Sequence, residues 1–343
     1  MIRIEKDVSL LPYNTFGIDA KAKYFTRVES AEQLQSLLQI PIFKEEKHLF
    51  VGGGSNILFT RDFDGLVIKT AVTGIERTEE DHSRALLKVG AGEVWHDLVM
   101  HCVNNNLGGI ENLSLIPGTT GAAPIQNIGA YGVEVKNVIE FVNAIELSSG
   151  AEKVFTKEEC RFDYRESVFK RDLKEKYFIS SVTLSVTRKN HQLITNYGAI
   201  QDTLKAMNVH DVNDVTIKLI SDAVIKIRKS KLPDPTVIGN AGSFFKNPTI
   251  TQQHYTLLLE EYPKLPGYHS INQQVKVPAG WLIEQAGWKG KRFDHVGVHE
   301  QQALVLVHYG GAHGDEILQL ANKIQHDVEE KFGVTLTPEV NVI

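Results

Sequence analysis

The sequence predicts an α+β protein of two or three domains. Its 343 residues exceed the length of most single domains. A composition of 42% hydrophobic and 23% charged residues is typical of a globular chain with a buried core. Strand-like and helix-like segments mix without a regular β-α-β-α order, which favours α+β over a doubly wound parallel sheet. The formal net charge of -5 argues against a nucleic-acid partner, because such proteins usually carry a basic excess.

The first half of the chain alternates short predicted helices with strands. Ser30 is a suitable cap for a helix that reaches Gln39, and Leu34, Leu37 and Leu38 share one face of it. The other elements predicted in this half are strands over 49–56, 66–71, 86–89, 138–147 and 177–186, and a helix from Trp95 that ends near 105–108.

The second half begins after a helix predicted over 216–228. A basic run and then Pro233 and Pro235 follow this helix, and a double proline at this point predicts a domain junction. Beyond it we expect a helix over 280–286, a strand over 303–307, an amphipathic helix with Asp315 in its first turn, and a closing strand after Pro338.

Two cysteines, Cys102 and Cys160, lie far apart in the sequence. They exclude a thiolate zinc cluster and supply no disulfide framework, and no metal site is predicted. Neither a signal peptide nor a bilayer-spanning apolar run is evident, so we expect a cytoplasmic protein without a membrane partner. No obligate protein partner is indicated.

The residues between Glu111 and Glu134 carry no charge, and Pro117 and Pro124 exclude a continuous helix. Gln126 and Asn127 are polar groups in this nearly apolar run, so they need hydrogen-bond partners if they are buried. The stretch also holds glycines that permit positive φ or a close backbone approach, namely Gly118, Gly121, Gly129 and Gly132. The pattern favours either backbone laid against a planar cofactor or a buried loop packed on another domain.

A second glycine cluster, GGGSN at 52–56, follows a strand-like run. Ile57 stands where the Rossmann fingerprint needs its third glycine, so that fingerprint is absent. Successive glycine amides can form an anion-binding nest for a pyrophosphate, and a simple tight turn is the alternative.

Three more positions carry candidate chemistry. Ser243 lies between a glycine and two phenylalanines, which suits either a hydroxyl in a water-poor pocket or a structural loop. Tyr164 and Arg165 place an aromatic ring beside a guanidinium, which suits a carboxylate ligand or an ordinary solvated turn. Glu339, in a strand-like apolar run, either points to solvent or holds a proton if it is desolvated.

Taken in order, these motifs resemble the UDP-N-acetylenolpyruvoylglucosamine reductase family over essentially the whole chain. The matching segments are NTFG (14–17), GGGSN (52–56), PGTTGAAPIQNIGAYG (117–132), CRFDYRESVFK (160–170), KLPDPTVIGNAGSFFKNP (231–248), AGWLIEQAG (279–287), HEQQALVL (299–306) and PEV (338–340). TNYG at 195–198 is similar to the tyrosine loop of the longer, type I branch.

The resemblance implies a fold of three lobes. Two α+β lobes would hold FAD in the manner of the vanillyl-alcohol-oxidase (PCMH-type) superfamily, and a C-terminal α+β lobe would bind substrate. The expected bounds are 1–72 for the first FAD lobe, completed by 333–343, then 73–231 for the second FAD lobe and 232–332 for the substrate lobe.

The resemblance also implies the cofactor contacts. FAD would bind without a covalent bond, because GGGSN offers no histidine or cysteine to attach the ring. Its pyrophosphate would lie on the two glycine clusters and its ring near 126–130. The expected FAD contacts are Gly52, Gly53, Gly54, Ser55, Asn56, Ile116, Pro117, Gly118, Thr120, Gly121, Gln126, Asn127, Gly129, Ala130 and Arg228.

The implied activity is NADPH-dependent reduction of UDP-N-acetylenolpyruvoylglucosamine to UDP-N-acetylmuramate, a step in peptidoglycan precursor synthesis. Hydride would pass through the flavin to the terminal vinyl carbon of the enolpyruvyl ether. Arg165 matches the arginine that stabilises charge on the substrate carboxyl group, and Glu339 matches its proton-bearing partner. Ser243 matches the residue that protonates the neighbouring carbon. The expected substrate contacts are Tyr164, Tyr197, Lys231, Asn247, Tyr268, Lys276 and Gln302.

Two other functions are compatible with parts of the sequence. An alcohol or lactone oxidase of the same superfamily would keep the flavin, but such oxidases lack GNAGSFFKNP, and many of them tether FAD through a histidine in the first glycine loop. A nucleotide-sugar binding protein without turnover would be colourless.

Overall fold

The computed structural model describes residues 2–269 and 272–343. Its helices and mostly antiparallel sheets confirm the predicted α+β class. The chain forms two compact units, each assembled from separate stretches of sequence. The first unit comprises Met1–Val8, Ala22–Gly53 and Asp64–Ser230, and the second comprises Ser9–Lys21, Gly54–Phe63 and Lys231–Ile343. The expected three-lobe division stays a prediction.

The helices of the described chain range from one turn to five. They are α1 (Ala31–Leu38), α2 (Pro41–Glu45), α3 (Trp95–Asn104), α4 (Gly198–Ala206), α5 (Ile217–Lys231), α6 (Gln252–Glu261), α7 (Ala279–Gln285) and α8 (Gly314–Phe332). None of these helices, in the parts of the chain that the structure covers, combines the length and apolarity that a membrane crossing needs.

The strands are short except in the first unit. They are β1 (Glu5–Ser9), β2 (Lys21–Val28), β3 (His48–Val51), β4 (Ile57–Leu58), β5 (Phe63–Thr70), β6 (Ile75–Glu80), β7 (Arg84–Gly90), β8 (Gly129–Ala130), β9 (Val133–Glu134), β10 (Ile139–Glu146), β11 (Glu152–Thr156), β12 (Tyr177–Thr187), β13 (Thr249–Thr251), β14 (Tyr268–His269), β15 (Gln274–Lys276), β16 (Arg292–Phe293), β17 (Val296–Val298), β18 (Leu306–His308) and β19 (Asn341–Val342).

The first unit is built on two sheets. One has the order β1-β2-β5-β3, and β3 runs parallel to β5 with Val51 opposite Lys69. The other is antiparallel, with the order β11-β10-β12-β7-β6. Residues of both sheets share one hydrophobic cluster, in which Leu66 of β5 and Phe178 of β12 meet the buried face of α1. The two sheets therefore form a continuous core within this unit.

The second unit holds three smaller sheets and the longest helix. The sheets have the orders β13-β15-β14, β16-β17-β18 and β19-β4, and the last pair is parallel. Helix α8 begins at a capping box formed by His313 and Glu316 and ends at Gly333, whose φ of 61° only glycine adopts without strain. The parallel pair returns the end of the chain to residues 57–58.

Local signals predicted the amphipathic elements well. Ser30 caps α1 by accepting a hydrogen bond from the Gln33 amide, and the three leucines of its predicted face are buried. Helix α5 runs three residues beyond the predicted end, to Lys231, because lysine, arginine and serine are all compatible with a helix and only Pro233 stops it.

Other predictions differed in extent. The strand expected over 303–307 occupies Leu306–His308, and the expected closing strand is limited to Asn341–Val342. Pro338 lacks an amide donor and pairs with Phe245 only through an isolated bridge, which shortens the closing strand. Helices α2, α4 and α6 were not predicted from the sequence.

We predict that Asn14 stabilises the second unit through its buried side chain. Its Nδ2 donates to the carbonyls of Leu10 (2.8 Å) and Ile18 (2.9 Å), and its Oδ1 accepts from the Ile18 amide (2.9 Å). Asn14→Ala leaves the buried Ile18 amide and carbonyl without these partners and should lower the free energy of unfolding by about 1–3 kcal/mol. Urea denaturation followed by tryptophan fluorescence measures this. Asn322→Ala, at an exposed asparagine of α8 in the same unit, should not lower stability and is the matched control. Equal effects of the two substitutions would contradict the assignment.

Candidate active site

The charge-free segment 112–133 is a largely buried loop of the first unit, and side-chain hydrogen bonds satisfy several of its polar groups. The Trp95 indole donates to the Leu113 carbonyl at 3.0 Å. Asn112 donates to the carbonyls of Tyr131 (3.1 Å) and Ile194 (3.0 Å). Asn127 is fully buried, donates to the Asp163 carbonyl at 3.0 Å and accepts from the Lys136 amide at 3.1 Å. The expectation that a buried Asn127 needs partners is confirmed.

Arg165 occupies a tight turn that is fastened to this segment. Asp163 and Glu166 pair through both of their backbone amides, so Tyr164 and Arg165 form the tip of the turn. Arg165 has a φ of 55°, a left-handed conformation that is uncommon outside glycine and asparagine. The Ser167 hydroxyl donates to the Ile125 carbonyl at 2.7 Å and anchors the far side of the turn. The turn and the segment therefore form one hydrogen-bonded body.

The guanidinium of Arg165 lies directly on the charge-free segment. Nη2 donates to the Gly129 carbonyl at 2.6 Å, and Nη1 donates to the Asn127 carbonyl at 3.3 Å. A Cβ at Gly129 would lie 3.1 Å from Nη1 and 2.9 Å from the Val133 carbonyl oxygen. Glycine at this position therefore lets the cation approach the backbone that was predicted to face a planar ring.

The two glycine clusters make a close backbone contact within the first unit. A Cβ placed on Gly53 would lie 2.8 Å from Cα of Gly118, a distance that side-chain carbons do not adopt. In residues 2–269 and 272–343, the amides of Gly53, Gly118 and Thr119 have no hydrogen-bond acceptor. Unpaired amides on two adjoining glycine turns fit a phosphate group. In the second unit, Gly54 has a φ of 65° and no room for a side chain beside Tyr13.

Arg228 is predicted to contact the cofactor and lies beside the same segment. Its Nε donates to the Leu115 carbonyl at 3.3 Å, and its guanidinium interacts electrostatically with the Tyr131 hydroxyl. Burial lowers the pKa of Arg228, and burial raises the pKa of Tyr131. Tyr197, at the start of α4, lies edge-to-face on Tyr131 with ring centroids 5.6 Å apart, and 47% of its surface is exposed.

Ser243 and Glu339 come together in the second unit. Residues 243–246 pair with two other stretches of backbone. On one side Ser243 forms an isolated β-bridge with Val305, and on the other side the Glu339 amide donates to the Phe244 carbonyl at 2.7 Å. Phe244 and Phe245 are buried, which is compatible with either interpretation of this loop. Asn56 donates to the Glu339 carbonyl at 3.2 Å, so a residue of the first glycine cluster touches the same backbone.

Four predicted substrate contacts gather around β15 and the start of α7. Lys276 lies opposite both Tyr268 and Thr249 in the three-stranded sheet. The Asn247 carboxamide accepts from the amide of Ala279, the first residue of α7, at 3.0 Å. Gln302 lies beside the same helix, 3.2 Å from where a Cβ of Gly280 would stand. Lys231 is exposed at the end of α5.

The sequence analysis missed two side chains that contact the candidate cofactor loops. Tyr131 joins Arg228 to Tyr197, and its positive φ of 49° was not foreseeable from local sequence. Lys69 donates from Nζ to the Gly52 carbonyl at 2.6 Å. A lysine in the otherwise apolar strand LVIKT was a signal for this contact. The roles predicted for the individual site residues stay predictions.

Comparison with known proteins bears on both halves of the chain. The family described as the FAD binding domain matches residues 22–155, and the C-terminal domain of UDP-N-acetylenolpyruvoylglucosamine reductase matches residues 234–343. The UDP-N-acetylenolpyruvoylglucosamine reductase of Amoebophilus asiaticus is 52% identical over 340 residues, which is 99% of each chain.

Two solved structures bear on the fold alone. The UDP-N-acetylenolpyruvylglucosamine reductase of Thermus caldophilus superposes with a TM-score of 0.68 at 24% identity, covering 100% of this chain and 99% of that one. A solvent-stable cholesterol oxidase superposes with a TM-score of 0.51 at 12% identity, covering 98% of this chain and 87% of that one. Together with the FAD-binding domain, they confirm the predicted α+β fold and its FAD-binding module.

We predict that the contact between Gly53 and Gly118 is needed for the cofactor. Gly53→Ala forces the two turns apart and should weaken FAD binding at least about tenfold, because the amides no longer converge. FAD titration of the deflavinated protein, monitored by flavin fluorescence, measures this. Gly198→Ala is the control, since a Cβ there meets no atom within 4 Å, and it should leave FAD affinity unchanged. Unaltered affinity in Gly53→Ala would rule out this loop contact as a cofactor determinant.

Proposed function

Because this chain belongs to the UDP-N-acetylenolpyruvoylglucosamine reductase family, we propose that it reduces UDP-N-acetylenolpyruvoylglucosamine to UDP-N-acetylmuramate with NADPH and FAD. The observation that carries the proposal is 52% identity with a reductase of that name over 99% of both chains. The product is a precursor of peptidoglycan, so the enzyme serves cell-wall synthesis and through it cell shape and division. The oxidase alternative is set aside, because the reductase C-terminal domain matches residues 234–343.

The residues around the two glycine clusters fit FAD. Their unpaired amides suit its pyrophosphate, and the backbone of 126–130, where Arg165 is fastened, suits its planar ring. When bound, FAD carries hydride from NADPH to the terminal vinyl carbon of the enolpyruvyl group. The protein then has to orient the substrate, stabilise the charge that develops on it, and supply a proton.

Arg165 is the proposed electrostatic stabiliser. Hydride addition to the vinyl carbon pushes an electron pair toward the substrate carboxyl group, which gains negative charge. The Arg165 guanidinium is held in one orientation by the carbonyls of Gly129 and Asn127. A cation that is positioned before the reaction needs little reorganisation as charge develops, which lowers the barrier.

Ser243 is the proposed proton donor to the carbon next to the carboxyl group. Its hydroxyl gives up a proton as the carbon–hydrogen bond forms, and solvent restores that proton afterwards. Serine is a weak acid, so the step depends on position and on exclusion of water. Backbone pairing with Val305 holds the residue in place, and the buried rings of Phe244 and Phe245 follow it directly. Glu339, bonded through its amide to the neighbouring carbonyl, is the proposed proton-bearing partner.

The remaining proposed contacts supply positive charge for the substrate and cover the site once the substrate is bound. The substrate carries a diphosphate and a carboxylate, whereas the chain has a net charge of -5, so positive groups must be concentrated locally. Lys276, Tyr268, Asn247 and Gln302 are the proposed group around β15 and α7, with Lys231 as a further cation. Tyr197, whose half-exposed ring packs edge-to-face on Tyr131, is the proposed cover that closes over bound substrate.

The reaction is proposed to occur in the cytoplasm with no protein partner required. Both cysteines are buried free thiols, which suits a reducing compartment.

Anaerobic mixing experiments test the function. The purified protein should be yellow, NADPH should bleach the flavin, and UDP-N-acetylenolpyruvoylglucosamine should restore the colour while its mass rises by two hydrogens. Acid precipitation should release the flavin into the supernatant, as expected for non-covalent binding. A colourless protein, or a reduced flavin that the sugar nucleotide does not reoxidise, would refute the proposal.

We predict that Ser243→Ala separates the two half-reactions. Flavin reduction by NADPH needs no proton at the substrate carbon, so it should be nearly unchanged, whereas enolpyruvyl reduction should slow by roughly 10²-fold or more. Ser243→Cys keeps a transferable proton and should be less impaired. Ser149→Ala, at an exposed serine, is the control. Stopped-flow traces with equal losses in both half-reactions would assign Ser243 a structural role instead.

We predict that Lys276 contributes mainly to substrate binding. Lys276→Met removes a positive charge opposite Tyr268 and should raise the KM for the sugar nucleotide by a factor that corresponds to about 1–3 kcal/mol. The kcat should change much less. Steady-state kinetics with Lys264→Met, at an exposed lysine of the same unit, provide the control. A KM equal to that of the unmodified enzyme would place the diphosphate elsewhere.

A further inference from the structure

Lys69 is a half-buried lysine that lies against the first glycine cluster. It is opposite Val51 in the parallel pair β3·β5, and Gly52 follows Val51 directly, so the side chain starts beside the loop. Its Nζ donates to the Gly52 carbonyl at 2.6 Å. Burial lowers the pKa of Lys69, and the positive charge of Arg27 nearby lowers it further.

The charge on Lys69 is not balanced by the chain itself. Across residues 2–269 and 272–343, no carboxylate forms an ion pair or a hydrogen bond with its Nζ. A partly desolvated cation without a counter-charge is unfavourable, and a second cation beside it adds to the cost. An anion bound at this loop would offset both effects.

The contact with Lys69 also fixes the direction of a neighbouring donor. All peptide bonds of the described chain are trans, so the Gly53 N–H points opposite to the Gly52 carbonyl and away from Lys69. That N–H has no acceptor within the described residues, and neither have the amides of Gly118 and Thr119. The Gly53 and Gly118 backbones are in close contact, so these donors belong to one small region of the first unit.

We propose that Lys69 is a positioning residue for the dinucleotide pyrophosphate, acting through the Gly52–Gly53 peptide. Its ammonium group holds the Gly52 carbonyl and thereby aims the Gly53 N–H at a phosphate oxygen. A cation that bonds the carbonyl of a peptide also polarises that peptide and strengthens its N–H as a donor. The charge of Lys69 adds a favourable long-range attraction to the diphosphate. This inference rests on the proposed function, since it takes FAD as the ligand.

The test compares FAD affinity in Lys69→Met, Lys69→Arg and the unmodified protein. Methionine preserves the length of the side chain but removes the donor and the charge, so the dissociation constant for FAD should rise about tenfold, which corresponds to about 1.4 kcal/mol. Arginine keeps a cationic donor and should restore most of the affinity. Lys88→Met, at an exposed lysine of β7 in the same unit, should bind FAD like the unmodified protein.

A second measurement separates positioning from a structural role. The thermal midpoint of the FAD-free protein should be no lower in Lys69→Met than in the unmodified protein, and the rise caused by added FAD should be smaller in the variant. Equal FAD affinity, or an equal loss of stability with and without FAD, would overturn the role of Lys69 alone. Failure of the unmodified protein to bind FAD would overturn the proposed function and this inference with it.

Discussion

The hydrogen-bond demand of the buried segment 112–133 is the constraint on which the candidate site depends. This backbone forms no long helix or strand, so its carbonyls and amides must find partners elsewhere. The turn at 163–167 supplies several of them, through Asn127 to the Asp163 carbonyl, Ser167 to the Ile125 carbonyl and Arg165 to the Gly129 carbonyl. The same bonds that satisfy the buried loop therefore fix the arginine proposed to stabilise the transition state.

At the two glycine clusters, a close approach of one backbone to the other shapes the candidate cofactor site. Gly53 and Gly118 are separated by many residues in sequence, yet their turns touch at a distance that excludes a side chain. Within residues 2–269 and 272–343, amides of these turns have no acceptor, which is unfavourable unless a ligand accepts their hydrogen bonds. The Lys69 ammonium group donates to the Gly52 carbonyl and so orients the Gly52–Gly53 peptide. The same close contact between the two turns therefore determines both the local backbone arrangement of the first unit and the site proposed to bind the cofactor.

The second unit positions its chemistry by backbone pairing. Ser243 and Glu339 are ordered because residues 243–246 bond to the stretches around 304–305 and 337–339 on either side. Sites that rest on paired backbone hold a side chain more accurately than sites on isolated loops. Two of the predicted substrate contacts, Tyr268 and Lys276, lie on a short sheet, and Asn247 bonds the first residue of α7; Tyr268 is 60% exposed. Such an exposed surface suits the binding of a large polar ligand.

The sequence by itself determined the elements and the residue types of the site, because caps, periodicity and glycine motifs act over a few residues. The Ser30 cap, the face of α1, the place of Asp315 in the first turn of α8 and the requirement for partners at Asn127 all follow from such short-range rules. Only the tertiary structure decided which distant residues meet. The left-handed backbone of Arg165, the contact of Gly53 with Gly118 and the bond from Lys69 to Gly52 each depend on packing between segments far apart in the chain. The free energy that fixes them comes from burial and shared hydrogen bonds, which no local pattern encodes.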